Sequence, residues 1–181
     1  MIENHLKAFK HNDYPFDFVT RVAFLEDSLE INYRISGELS KIAFEELAQN
    51  PKRIIGLWKK TCLELFLRSG NPKEYIEFNF SPNGDWNCFI FNEEISELTE
   101  YNGIHEIGFQ SVSIAGEYKL NIKIKKSDLP KVHQDFSIAE FSTTSVLLLK
   151  NDEGKLEETF WAINHCDSKP NFHHPDSYIK K

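Results

Sequence analysis

The chain has 181 residues and a formal net charge of −7, long enough for one domain with a core that folds alone. Its 21 Lys and Arg are dispersed among 28 Asp and Glu, which argues against nucleic acid as a partner because phosphate binding draws on clustered cations. No window offers the ~18 apolar residues that span a bilayer, so no membrane partner is expected either.

The first segment, "MIENHLKAFKHNDYPFDF", lacks the apolar run of a signal peptide. Cys62, Cys88 and Cys166 are odd in number and widely spaced, with no CxxC pair, a pattern that fits reduced thiols better than a disulfide framework or a zinc ribbon. Together these features predict a soluble, cytoplasmic protein forming one domain over residues 1–181.

"FDFVTRVAFLED" and "SLEINYRISG" are strand-like runs either side of Glu26-Asp27-Ser28; in the second, Leu29, Ile31, Tyr33 and Ile35 alternate with Glu30, Asn32, Arg34 and Ser36. "KIAFEELAQNP" predicts a short helix ended by Pro51. The strand-like runs "TCLELFLRS", "KEYIEFNFS", "DWNCFIFN", "EIGFQSVSIAG", "EYKLNIKIKK", "FSIAEFSTTSVLLLKN" and "EETFWAIN" follow, separated by turn signals such as Ser69-Gly70-Asn71-Pro72 and Pro82-Asn83-Gly84-Asp85. About nine short strands without alternating helices predict an all-β fold, an antiparallel β-sandwich of jelly-roll type with one short helix.

Thr61 to Asn92 is the most informative stretch. Leu63, Leu65 and Leu67 point one way, as do Ile76, Phe78 and Phe80 in the next strand, and matching these faces pairs Glu64 with Asn79, Phe66 with Glu77 and Arg68 with Tyr75. In "WNCFIF", Phe89 and Phe91 are expected on the core face, leaving Trp86, Cys88 and Ile90 beside Glu77 and Asn79. The second face then carries acid, amide, guanidinium and aromatic groups, whereas "KLNIKIKK" shows an ordinary outer face of Lys119, Asn121, Lys123 and Lys125. Two readings stay open for that face: a cross-strand ion-pair cluster of Glu64, Glu77 and Arg68, or a surface that hydrogen-bonds a polar small molecule such as a sugar.

"GLWKKTCLELFL", "YIEFNFSPNGDW" and "FWAINH…PNFHHPDSY" resemble bacterial DOMON-like domains similar to family 9 carbohydrate-binding modules, over about Phe16 to Tyr178. The resemblance implies a β-sandwich binding module without catalytic residues or cofactor, whose partner is a small molecule, a carbohydrate or similar polyol. It implies that Trp58 and Phe172 stack on sugar ring faces, that Glu64, Glu77 and Asn79 bind hydroxyls, and that Arg68 and His173 are peripheral contacts. Glu77 stands where the sugar binders can carry Arg, and Phe172 where they carry Trp.

Competing readings come from other classes. His165, His173, His174 and Asp176 could centre a metal-dependent hydrolase, although adjacent histidines point apart in extended chain and no HxxxH spacing supports a helix-borne pair. Haem held by His and Met is disfavoured because Met1 is the sole methionine. An interaction domain that docks another protein is the third reading. Pro170 and Pro175 predict a stiff surface loop carrying Phe172 to the binding face, returned by Ser177-Tyr178-Ile179 to a sheet edge.

Overall fold

The computed structural model describes residues 1–10, 13–93 and 97–181. Among them run thirteen strands: β1 (Ile2–His5), β2 (Lys7–Ala8), β3 (Phe16–Phe24), β4 (Ser28–Gly37), β5 (Cys62–Ser69), β6 (Tyr75–Phe80), β7 (Trp86–Phe91), β8 (Thr99–Glu100), β9 (Gly108–Ile114), β10 (Glu117–Lys125), β11 (Ala139–Lys150), β12 (Leu156–Ala162) and β13 (Ile179–Lys180). The alternation seen in the sequence delimits β4 to the residue. β1, β2 and β8 escape it because "IENH", "KA" and "TE" are too short or too polar to show a period.

The strands form two antiparallel sheets. The smaller has the order β1-β3-β4-β10-β9 and the larger β2-β12-β11-β5-β6-β7-β8, with β13 also paired to β11. Leu29, Ile31, Tyr33 and Ile35 of β4 and Leu120, Ile122 and Ile124 of β10 meet Leu63, Leu65, Leu67, Phe78 and Phe80 of the larger sheet in one core. This is the all-β sandwich expected from the punctuated short runs.

Two polar contacts cross the core. The Thr20 and Thr143 hydroxyls lie 2.8 Å apart, and the Tyr33 hydroxyl donates to the backbone carbonyl of Glu64 at 2.8 Å. Each satisfies a polar group that would otherwise be stranded in hydrocarbon. The second also ties the middle of β5 to the opposite sheet.

Two expectations are corrected. No α-helix occupies "KIAFEELAQNP" among the described residues; helical geometry is confined to six single 3-10 turns, the nearest at Leu39–Lys41. Ile42 instead bridges to Leu149, the Ala43 N–H donates to Leu148 and Phe44 stacks on Tyr118, so pairing with the β11 edge overrides a weak helical pattern. The second correction concerns β7, whose pairing sets Phe89 opposite Glu77, Asn87 opposite Asn79 and Phe91 opposite Tyr75. Trp86 and Cys88 therefore join the core, and Phe89 and Phe91 share the polar second face.

Both faces of "WNCFIF" carry large apolar side chains and only Asn87 is polar, so alternation separates them weakly; the turn sets the phase. Ser81 donates its N–H to the Asp85 carbonyl and accepts from the Gly84 N–H, closing a three-residue loop of Pro82, Asn83 and Gly84. Gly84 has φ +101°, the left-handed setting such loops need and glycine supplies without strain.

Replacing Tyr33 by Phe should remove the cross-core hydrogen bond while keeping the ring. The expected cost is about 1 kcal/mol, read as a lower urea midpoint at an unchanged slope. Phe78→Ala, at the centre of the same core, should cost about 3–5 kcal/mol.

Candidate ligand-binding site

β5 lies between β6 and β11, its inner face in the core, and its outer face is covered as well: Glu64 and Phe66 are buried and Arg68 is nearly so. Two coverings cause this. On one side a left-handed Gly56, φ +89°, turns the chain into a 3-10 turn at Leu57–Lys59. Leu57 is buried and anchors the turn, leaving Trp58 over the sheet with its ring edge-on to Phe89 at 5.8 Å. Lys60 pairs with Glu45 and the Thr61 hydroxyl donates to the Ala43 carbonyl, which fixes the exit of the turn.

On the other side the C-terminal segment crosses the sheet. β13 pairs with Glu140 and Phe141 of β11, and the Tyr178 ring lies 4.2 Å from the Arg68 guanidinium. The buried Ser177 hydroxyl donates to the His174 carbonyl at 2.7 Å and closes the turn that presents Phe172 and His173. Between the two coverings lies a cleft of about 450 Å³, within the size range of small-molecule sites.

Trp58, Glu64, Glu77, Phe172 and His173 all line this cleft. Asn79 and Arg68 do not. Asn79 is fully buried beneath Glu77, to which its amide donates at 2.6 Å, while its oxygen accepts from the Cys62 thiol at 3.3 Å. Burial raises the Cys62 pKa well above the ordinary thiol value, first by desolvation and then by the nearby acids, so the thiol keeps its proton and sets the amide's orientation. Arg68 donates to Glu140 at 2.6 Å, directly opposite it on β11, so a cluster of Arg68 with Glu64 and Glu77 does not form.

Glu64 and Glu77 sit diagonally across the β5–β6 ladder and face into the cleft. Thr144 donates its hydroxyl to Glu64 at 2.8 Å. No cation meets either carboxyl at hydrogen-bonding distance among the described residues; His173 approaches Glu77 at 3.9 Å. Both carboxyls titrate well above the ordinary carboxylate range, chiefly because burial disfavours the charged form, and for Glu64 also because Glu77 repels a second charge.

His173 is half-exposed, and desolvation lowers its pKa, so the ring is neutral at pH 7. Its Nδ1 lies 2.8 Å from the Tyr75 hydroxyl, whose own pKa burial pushes up to about 12. Either of these two groups can donate to the other, and the second ring nitrogen, Nε2, faces Glu77.

Several lining residues were not singled out in the sequence. Phe66, Phe160 and Val146 form the apolar floor and Phe91 and Leu98 part of the rim. Phe160 follows from alternation once Trp161 is assigned to the core; Phe91 was hidden by the inverted β7.

The tail histidines go to separate partners: His165 to the Lys7 carbonyl, His173 to Tyr75, and His174 to the Asp176 N–H. Among the described residues no three His, Cys, Asp or Glu side chains are grouped to share a metal ion.

No protein-family model matches the sequence, and no curated protein sequence matches it. Solved structures do. A Bacteroides uniformis protein provisionally assigned as carbohydrate-binding aligns over 98% of this chain and 84% of its own, with TM-score 0.62 and 15% identity. A family 9 carbohydrate-binding module from Caldicellulosiruptor kristjanssonii aligns in its glucose complex over 88% of this chain and 73% of its own, with TM-score 0.52 and 10% identity. The chain has the fold of family 9 carbohydrate-binding modules. The cellotriose complex of the same module gives TM-score 0.53 at 10% identity, over 88% of this chain and 71% of that one. At such identities the likeness carries the fold and no side-chain chemistry.

The buried carboxyls make stability depend on pH with a definite sign. In the unfolded chain they ionise near the ordinary value of 4.5, whereas in the folded chain they hold their protons to higher pH. Between those limits unfolding releases protons, so stability falls as pH rises. Urea midpoints from pH 4 to 9 should show Glu64→Gln losing less than wild type over this range and exceeding it at the alkaline end, because the amide still accepts from Thr144.

Proposed function

We propose that the protein is a non-catalytic binding module for a saccharide or similar polyol, seated in the cleft over β5 and β6. The observation that carries this reading is the convergence of Trp58, Glu64 and Glu77 with Phe172, distant from them in sequence, on that one cleft. The aromatic rings offer surfaces for the C–H faces of a pyranose, and the carboxyls offer hydrogen bonds to its hydroxyls. An ionised carboxylate accepts from a hydroxyl, and a protonated one donates to a ring or hydroxyl oxygen, so the unpaired acids suit a neutral, hydroxyl-rich ligand. The glucose and cellotriose complexes of the structurally similar module support the same ligand class.

Asn79 acts in this reading by aiming the Glu77 carboxyl, and Arg68 by holding Tyr178 and with it the segment that carries Phe172. His173 is a peripheral contact at the cleft's edge. The acids are not assigned a hydrolytic role: the ligand binds and leaves unchanged.

Calorimetric or ligand-observed NMR titration with a panel of mono- and disaccharides tests the reading, with binding in the micromolar to millimolar range expected. Trp58→Ala and Glu77→Gln should each weaken it at least tenfold, and Glu77→Gln should at the same time raise the thermal midpoint by relieving a buried charge. Silence across the panel at millimolar concentration, or Trp58→Ala binding as wild type, would overturn it.

A further inference from the structure

Three acids line the cleft, Glu64 on β5, Glu77 on β6 and Glu158 on β12, and among the described residues no Lys or Arg does. Three basic residues of the flanking segments have acids of their own: Arg68 pairs with Glu140, Lys60 with Glu45 and Lys73 with Glu93. His173 is the one basic group on the cleft among the described residues, and its ring is neutral at pH 7. The acids therefore face the cleft without a counter-charge.

Glu64 and Glu77 are only 2% and 6% exposed. One oxygen of each is engaged: Glu64 Oε2 accepts from the Thr144 hydroxyl at 2.8 Å, and Glu77 Oε1 from the Asn79 amide at 2.6 Å. Among the described residues no side chain donates to Glu64 Oε1, and Glu77 Oε2 has His173 no nearer than 3.9 Å. Each buried carboxyl thus keeps an oxygen for whatever enters the cleft. The two acids are diagonal neighbours on the β5–β6 ladder, and both hold their protons above the ordinary carboxylate range because burial disfavours a charge that no cation offsets.

A neutral sugar can donate hydroxyls to these oxygens, but it leaves their charge unbalanced. An ammonium donates to them and balances the charge at once. The rest of the lining suits the same group: Trp58, Phe66, Phe91, Phe160 and Phe172 surround the acids, and the electron-rich faces of aromatic rings attract a desolvated cation. The exposed Glu158 adds negative charge to the wall, which favours the approach of a cation.

We propose that the ligand of the cleft is an amino sugar or amino polyol, whose protonated amine lies between Glu64 and Glu77 while its hydroxyls and C–H faces meet the rest of the lining. The assignment rests on the saccharide-binding reading above and adds to it the charge of the ligand: one hydroxyl of the neutral polyol is replaced by an amine.

Calorimetric titration at pH 7 with glucose, galactose and mannose, with their 2-amino counterparts and with the N-acetylated forms of those tests it. At least one amino sugar should bind on the order of tenfold tighter than its neutral parent, the difference between a charge-assisted and a neutral hydrogen bond. N-acetylation, which removes the charge, should abolish that gain. Glu64→Gln and Glu77→Gln should each cut the gain severalfold, with a thermal midpoint no lower than wild type certifying the fold. Cyclohexylamine, which has the amine and a ring but no hydroxyls, should bind more weakly than the amino sugar. Amino sugars binding no tighter than their parents, or a gain that survives both substitutions, would overturn the charge assignment and leave the polyol reading intact. Cyclohexylamine binding as tightly as the amino sugar, or absence of binding by every sugar in the series, would overturn both.

Discussion

The structure turns on the double burial of β5. A strand in the middle of a sandwich sheet normally gives one face to the core and the other to water. Here the Trp58 turn and the C-terminal crossing cover the second face, and Glu64, Glu77 and Asn79 pass from solvent-facing positions to the floor or foundations of a cleft. Desolvation of two carboxyls that lack a close cation is unfavourable to the fold. That cost has structural compensations: Thr144 donates to the Glu64 carboxyl and Asn79 to that of Glu77.

These contacts are layered. The Cys62 thiol orients Asn79, Asn79 orients Glu77, and Glu77 faces the cleft with His173 beyond it. Each layer is set by one polar group inside an apolar surround, where a hydrogen bond is geometrically demanding and an unmet one is costly. Such a chain holds the Glu77 carboxyl in place within the cleft, the kind of pre-organisation that lowers the ordering cost of binding.

The two coverings also differ in how they are held. The Trp58 turn rests on a single buried leucine and a left-handed glycine, so it is local and compact. The C-terminal segment is held at a distance from the cleft, by β13 on β11 and by Tyr178 over Arg68, and it brings Phe172 in between. Arg68 thus bears on the cleft through the tail it supports. Its pairing with Glu140 explains why the polar side chains of one sheet face do not collapse into a single ion-pair cluster: the residue directly opposite takes the guanidinium.

The sequence by itself determined the sandwich, most of its strands and the β5–β6 register, because a period-two apolar pattern has one way to face a core. It also marked Glu64 and Glu77, acids unusual on an outer face, while Trp58, Phe172 and His173 were singled out through the resemblance to family 9 carbohydrate-binding modules. What it could not decide was β7, where both faces carry large apolar side chains and the three-residue turn with Gly84 sets the phase. Nor could it separate residues that line the cleft from those that support it: Asn79 and Arg68 read the same as Glu77 along the chain, and burial and partner choice divide them. The meeting of Trp58 with Phe172, and of the N-terminal segment with β12, belongs to tertiary structure alone, since strand periodicity specifies which way a side chain points and not what lies above it.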